Sequence, residues 1–553
     1  MTVALHLAAP KARGQWQANT GPAGAGLGAV VGGDVERYVR ALAIAGMIAP
    51  IPWAVRPFGP DDLREVLNDS GATDHPWREA TRAATRARAA AGGMLFVGAN
   101  SATPNGANDG PMWQGRGVNA AAGGALRLRL GGITAVAAPI AFVAQNAAFT
   151  LMAPPPFSRS PYANPLFPLF IDQPQRMGGS AYSRLDPGES SIRVDASGLV
   201  ASLSTASVGW GLGETFPAIL GPNAGGFPHL SLGTRARGIG IPRFGRVTGR
   251  YLLGVLNQSA WSPVQGSETF IDGRQTGTRR VGSGLALSFT PAALPTLELG
   301  ASRFFHSPFL SGPRRWDAWS KPFEGIFKNG FEGRGAADID PFGDADNQLA
   351  SFFARWVFPR RGVEASIELI REDHNWDSRD LAQEPESNGA ISASIRATTR
   401  RTARQLALLT FEFFDGDVRP IAQGREQGFL YIHAGLPQGH TQRGQLLGSP
   451  IGAGAIAGQR VSWESFTQGK THRFILQRWR TRSASIADFR GAFVPSPNSL
   501  PNSHDWVIDG SASRTSNRGK QALTLEGGLA WWGRWNLAGA QANVYARASY
   551  SAF

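Results

Sequence analysis

The sequence predicts an all-β protein: a transmembrane antiparallel β-barrel of about 16–18 strands with a small N-terminal helical plug domain. Three observations point there. From about residue 93 the apolar period shifts from 3.6 to 2 residues, and the alternation runs on for more than 400 residues without a second helical segment, which is long for a sandwich. Short turns alternate with long, aromatic, Gly/Pro-rich segments such as 204–229 and 303–346. The chain ends on an aromatic residue, Phe553, closing a strand-like tail, although its neighbour Tyr550 has the opposite parity. Dividing the stretch after about residue 110 at roughly 25 residues per strand and loop gives the strand number.

Residues 1–33 are Gly/Ala-rich and read as a flexible lead-in. Met1 to Pro10 lacks a basic region and a long apolar core, so an export signal is expected upstream of Met1. Residues 34–92 read as a helical periplasmic plug domain. Asp34 is placed to cap a helix whose Val35, Tyr38, Val39 and Leu42 share one face, with Gly46 as its stop. Pro50, Pro52 and Pro57 stiffen a link around Trp53. Pro60 opens a second helix that stops at Gly71, and Thr73 caps a third that runs through Arg88.

Residues 93–553 read as the outer-membrane barrel. Leu126, Leu128 and Leu130 alternate with Arg127 and Arg129; Ala365, Ile367 and Leu369 alternate with Glu364 and Glu368. Leu297 and Leu299 flank Glu298, Val247 and Tyr251 flank Thr248 and Arg250, and Leu523, Leu525, Leu529 and Trp531 alternate with Thr524, Glu526 and Gly528. Such strands show one apolar and one polar face, and a polar lumen takes up the charged one.

Composition narrows the classes. Without cysteine, a disulfide scaffold, a CxxC redox site and a cysteine-ligated zinc are excluded. No apolar run of roughly 18 residues offers a membrane helix. Charged residues are 17% of the chain, against about 25% in an ordinary soluble domain. The net charge of +14 is almost all arginine, which fits either a GC-rich coding bias or attraction to an anionic partner. The arginines are dispersed and carry no nucleic-acid motif, so nucleic acid is not expected.

No catalytic signature is present. Gly179-Ser180 and Gly282-Ser283-Gly284 lack the flanks of a nucleophile elbow. The glycines of 209–213 and 452–454 lack the strand-to-helix setting of a phosphate loop. The acids and histidine of Arg371–Asp377 have no second histidine at ligand spacing. Neither enzyme nor cofactor nor metal is expected. Sugar binding is the positive reading, since rings beside carboxylates, amides and guanidinium groups hold C–H faces and hydroxyls, and acidic glycans favour arginine forks. Arg314, Arg315, Trp316, Asp317 and Trp319 form one such cluster, and Trp376 with Asp377 another. The plainer alternative is that these rings pack loops or sit at a membrane interface.

Several stretches in order resemble the Wzi family of capsule-assembly outer-membrane proteins. They are the helix, Trp-containing proline link and helix of 34–67; residues 115–119 with the strand 126–130 and 139–146; GWGLGETFPAILGPNAGGFP at 209–228; DNQLASFFARW at 346–356; and YIHAGLPQGHTQRGQLLGSPIG at 431–452. The resemblance implies a barrel of about eighteen strands in the bacterial outer membrane, its N-terminal helices closing the periplasmic mouth. It implies that capsular or exopolysaccharide is bound and assembled at the cell surface rather than synthesised. Further expected partners are outer-membrane lipids and lipopolysaccharide, with the protein a monomer. The alternative is a porin or uptake channel with an open lumen; an envelope hydrolase on a barrel and a soluble secreted β protein complete the set.

Overall fold

In the computed structural model the described residues are 21–67, 75–154, 156–264, 268–269, 275–276, 278–309, 318–323, 346–372, 382, 389–416, 429–433, 436–481, 505–536 and 539–553. Eighteen antiparallel strands close a barrel, three of them interrupted once. They are β1 Ala89–Asn100, β2 Gly117–Leu130, β3 Ile133–Ala137 with Ile140–Ala144, β4 Tyr182–Asp186 with Ser191–Ala196, β5 Leu199–Ser204 and β6 His229–Thr234 with Ile239–Ile241. Next come β7 Gly245–Asn257, β8 Arg279–Pro291, β9 Leu297–Pro308, β10 Asn347–Phe358, β11 Val363–Glu372 and β12 Gly389–Thr402. The last six are β13 Gln405–Gly416, β14 Ile456–Thr467, β15 Lys470–Thr481, β16 Asp505–Arg518, β17 Gln521–Arg534 and β18 Gln541–Ala552. β18 returns to β1, with Ala552 opposite Gly93 and Tyr545 opposite Asn100, so no edge is left unpaired.

The ends differ. Eight turns of two to five residues join strands at one mouth, where the C-terminal Phe553 also lies; the strand ends at the other mouth are joined by nine connections of six to thirty-nine residues. The alternation read from sequence decides which face each side chain takes. Leu126, Leu128, Ile367, Leu369, Leu299, Leu523 and Leu525 are exposed on the outer wall, while Arg127, Glu364, Glu298 and Glu526 are buried inside. An apolar outer belt over a fully paired backbone is the arrangement that a bilayer permits.

The lumen is filled in layers. Near the short turns, Phe353, Val357, Leu406, Leu408 and Phe466 make an apolar seat. On it lies α1, Asp34–Ile44, every residue of which is buried. α2 is Pro60–Leu67 and α3 is Arg78–Arg86. Gly46, at φ +67°, supplies the left-handed residue that ends α1. Asp34 does not cap this helix: Gly33 holds the cap position, and the Asp34 carboxylate accepts from Arg37 at 2.5 Å and from the Gly21 amide at 3.3 Å. α3 starts at Arg78 after Trp77; the stop read at Gly71 and the cap read at Thr73 lie outside the described residues. Residues 21–33, read as a lead-in, include a short 3-10 helix, Pro22–Gly26, and most of them are buried.

Above the seat runs a charged collar that ties helix to wall. Arg37 meets Glu464 at 3.0 Å, and Arg40 meets Glu364 at 2.7 Å. Glu364 also takes Arg355 at 2.7 Å and Arg396 at 3.2 Å. The Glu298 carboxylate accepts from the amides of Trp53 and Ala54 at 2.8–3.0 Å. On α2, Asp62 pairs with Arg193 of the wall at 2.7 Å. A buried carboxylate ringed by donors on both partners fixes where the plug docks, because each partner lost leaves a charge unmatched.

Docking depends on pH through several plug groups. Burial raises the Glu36 carboxyl as it does that of Asp34, whereas Arg193 lowers the Asp62 carboxyl against its burial. Asp34 and His75 act in the range between about 4 and 6.5. Burial pushes the Asp34 carboxyl up to about 6, partly opposed by Arg37. Burial, with Arg78 and Arg82, pushes His75 down to about 4. The signs oppose. Docked Asp34 keeps a proton that it gives up when free, so its part strengthens docking as pH falls through about 6. Docked His75 refuses a proton that it accepts when free, so its part weakens docking as pH falls from 6.5 toward about 4. Asp34→Asn removes the first part alone. Its plug is expected to loosen more than wild type on acidification from about 6 to about 4, followed by protease cleavage within residues 34–88. An identical pH response in the two proteins counts against this account.

Candidate functional site

A second filling lies above the collar, built from segments at the long-loop end. Residues 205–228 fold into the lumen against the cluster of Leu252, Phe304, Leu349, Ile370, Phe414 and Ile456. Inward glutamates hold this segment by its backbone. Glu368 accepts from the Leu212 amide at 2.9 Å. Glu412 accepts from the amides of Glu214, Thr215 and Phe216 at 2.9–3.1 Å. The Tyr431 hydroxyl donates to the Ala218 carbonyl at 2.7 Å, and the His440 ring nitrogen Nε2 lies 2.6 Å from the Ile219 carbonyl. Burial pushes His440 down to about 3, so it is neutral and Nε2 donates. Burial raises the Glu214 carboxyl, but the cations of Arg473, Arg396, Arg460 and Arg37 outweigh it and hold the group ionised. Plug and inner loop both pack into the lumen against inward-facing wall residues.

On top of this floor sits a cleft at the long-loop mouth. Trp479, Thr481, Asp505 and Trp532 reach it from the upper ends of β15, β16 and β17, and Trp535 follows β17. Trp113 and Gln114 come from the connection after β1, and Asn164, Gln175, Asn223 and Gln445 from the inner loops. The Trp532 and Trp535 rings are 4.7 Å apart at 78°, forming a corner; Trp479 stands 6.5 Å from Trp532. Trp535 is fixed by its ring N–H donating to the Thr150 carbonyl at 2.9 Å, and the Asn536 amide donates to Asp505 at 3.0 Å. Trp113 donates to Asn146 at 3.3 Å.

Several of the amides are engaged in shaping the wall. Gln175 bridges Met152 and Ala163, and Asn223 donates to the Leu446 carbonyl. Gln114 is different. It is 2% exposed, and neither its carboxamide nitrogen nor its oxygen has a partner among the described residues. A buried amide without partners is costly unless something else completes it. Rings at right angles beside an uncommitted amide can hold a sugar, with a ring against its C–H face and the amide on its hydroxyls.

Exposed Arg243, Arg360, Arg361, Arg400, Arg401, Arg404, Lys470, Arg518 and Lys520 stand around the short-turn end, exposed Arg159, Arg279 and Arg478 toward the long-loop end, and the collar takes up Arg37, Arg40 and Arg396. A deeper cavity between residues 27–30, 57–60 and the wall of β3–β7 is lined by aliphatic and small side chains together with Glu189, Arg193, His229 and Arg250.

The residues marked from sequence stand as follows. Arg314, Arg315, Trp316, Asp317, Trp376 and Asp377 lie outside the described residues. Trp319 is described and exposed, but it is not in the cleft: its carbonyl accepts from the hydroxyl of Tyr251 on the outer face of β7 at 2.9 Å, where Phe323 stacks on Tyr251. The cleft tryptophans were not singled out, although Trp532 carried a signal. It follows outward-facing Trp531, so strand alternation turns it into the lumen.

Comparison with known proteins adds to this geometry. Residues 97–541 match the family model described as capsule assembly protein Wzi. No curated protein matches the sequence. Among solved structures, Wzi of Escherichia coli, an outer-membrane protein involved in group 1 capsule assembly and described as a carbohydrate-binding β-barrel, is 14% identical. The match covers 94% of this chain and 98% of that one, with a TM-score of 0.62. OccK7 of Pseudomonas aeruginosa is 10% identical over 84% of this chain and 99% of its own, with a TM-score of 0.40. OccAB3 of Acinetobacter baumannii is 8% identical over 84% and 98%, also at 0.40.

Proposed function

The chain belongs to the Wzi capsule-assembly family, and from that premise we propose that it holds surface polysaccharide at the outer membrane and assists capsule or exopolysaccharide assembly or attachment. The short turns and plug face the periplasm, the long loops face outward, and the apolar belt sits in outer-membrane lipid and lipopolysaccharide as a monomer. The domain division that fits is a helical plug that ends with α3 at Arg86 and a barrel that begins with β1 at Ala89. Binding is non-covalent and the polymer is not turned over. The observation that carries this is the cleft: a corner of tryptophans and an uncommitted amide, open at the long-loop mouth, above a filled lumen. The filling counts against a diffusion porin, whose lumen must admit solute.

The test is oligosaccharide binding by the purified barrel, read by tryptophan fluorescence or calorimetry. Trp535→Ala removes one face of the corner. A sugar–ring contact is taken as comparable to an aromatic pair, worth about 0.5–1.5 kcal/mol, so affinity is expected to fall roughly two- to tenfold while the heat-shifted gel band of the closed barrel is kept. Unchanged binding would move the site away from the cleft.

A further inference from the structure

We propose that the cleft takes a neutral, hydroxyl-rich hexopyranose segment and discriminates against uronate sugars. The inference rests on the polysaccharide-binding function proposed above and names the class of sugar recognised. The expectation from sequence ran the other way, with arginine forks holding acidic glycans. Among the described residues lining the cleft there is no arginine, lysine or histidine, whereas Asp109 and Asp505 are both present. The cations beside the cleft-lining residues are engaged with other groups. Arg547 is held by Glu526 at 2.7 Å and donates to the Asn105 carbonyl. Arg176 donates to the Asn146 carbonyl, Arg184 to the Pro111 carbonyl, and Arg443 pairs with Asp186 at 3.1 Å. A uronate carboxylate entering here leaves water, meets the acidic side chains of Asp109 and Asp505 and finds no guanidinium fork among the described lining residues. A neutral sugar meets none of these penalties. Its C–H face lies on one ring of the Trp532–Trp535 corner. Its hydroxyls can take the Gln114 carboxamide, which offers a donor and an acceptor side by side and has no other partner among the described residues.

The experiment uses the full-length barrel in detergent and matched pairs of oligosaccharides of equal length: glucan with glucuronan, galactan with galacturonan, mannan with mannuronan. The expected result is that the neutral member of at least one pair binds about tenfold or more tighter than its uronate partner. Gln114→Ala and Trp535→Ala should each weaken that binding. Asp505→Asn, which keeps an acceptor for the Asn536 amide, should narrow the preference by relieving the repulsion. The readout is the neutral-to-uronate ratio, which a merely structural role for Asp505 leaves unmoved. Uronate members that bind as tightly or tighter, with Trp535→Ala still weakening them, overturn the inference and leave the polysaccharide-binding function standing. No binding to any member overturns both. Neutral binding untouched by the Gln114 and Trp535 substitutions overturns the assignment to this cleft.

Discussion

Glu364→Ala is expected to undock the N-terminal helices while the barrel stays closed on itself. Its carboxylate is fully buried and is shared by Arg40, Arg355 and Arg396. After its removal the three cations fare differently. Arg355 keeps Glu298 at 3.3 Å, and Arg396 keeps Ser394 and, at 3.7 Å, Glu214. Arg40 is left with the Leu212 carbonyl at 3.4 Å and the Trp53 ring at 4.9 Å. Because Arg40 belongs to α1, undocking returns it to water, whereas docking holds it without a counter-charge. Removing one partner from a buried pair costs about 3–5 kcal/mol, most of it the uncompensated charge left behind. Here that penalty falls on docking.

Two controls separate charge from space. Glu364→Gln keeps the volume and a carbonyl acceptor, so its effect should be smaller. Glu364→Ala combined with Arg40→Met removes the stranded cation, and docking should partly recover, since matched apolar groups often replace buried ion pairs at little cost. Protease cleavage within residues 34–88, compared with the heat-shift of the barrel band, reads both quantities. Wild-type protection in Glu364→Ala would place the docking energy in the apolar seat under Phe353, Leu406 and Phe466 and in the remaining ties of Glu464, Glu298 and Arg193.

What the sequence discloses and what it hides follow from the range of each signal. The barrel wall is legible because a strand's two faces meet different solvents, and that difference recurs at every second residue. Leu126, Leu128 and Leu130 against Arg127 and Arg129 is enough to assign inside and outside. The helices are legible for the same reason at period 3.6. The Asp34 cap misread shows the limit: a helix-opening aspartate looks alike whether it caps its own backbone or reaches Arg37 and Gly21. Glu412 reads in sequence as one more inward acid, yet it organises three backbone amides nearly 200 residues away. Such a partnership is set by tertiary folding, and no local period records it. The cleft is hidden in the same way. Its tryptophans and Gln114 come from both ends of the chain, and the barrel's closure between β1 and β18 brings them together.

A double substitution tests the layered closure more severely than any single one. If plug and inner loop are barriers in series, either alone should block ions, and conductance should appear only when both are released. Glu412→Ala leaves the buried amides of Glu214, Thr215 and Phe216 without their acceptor, at about 1–3 kcal/mol for each group left unmatched. That loosens residues 211–216, but the plug below still fills the lumen. Glu364→Ala frees the plug, but the inner loop above is still tied by Glu368, Tyr431 and His440. Planar-bilayer recordings of wild type and each single variant should therefore be silent, and Glu364→Ala/Glu412→Ala should give discrete steps, a non-additive outcome expected of two gates on one path. Steps from Glu364→Ala alone would mean that the inner loop is no barrier. A silent double variant would assign the upper closure to the ties of Glu368, Tyr431 and His440, which hold residues 212–219 without help from Glu412.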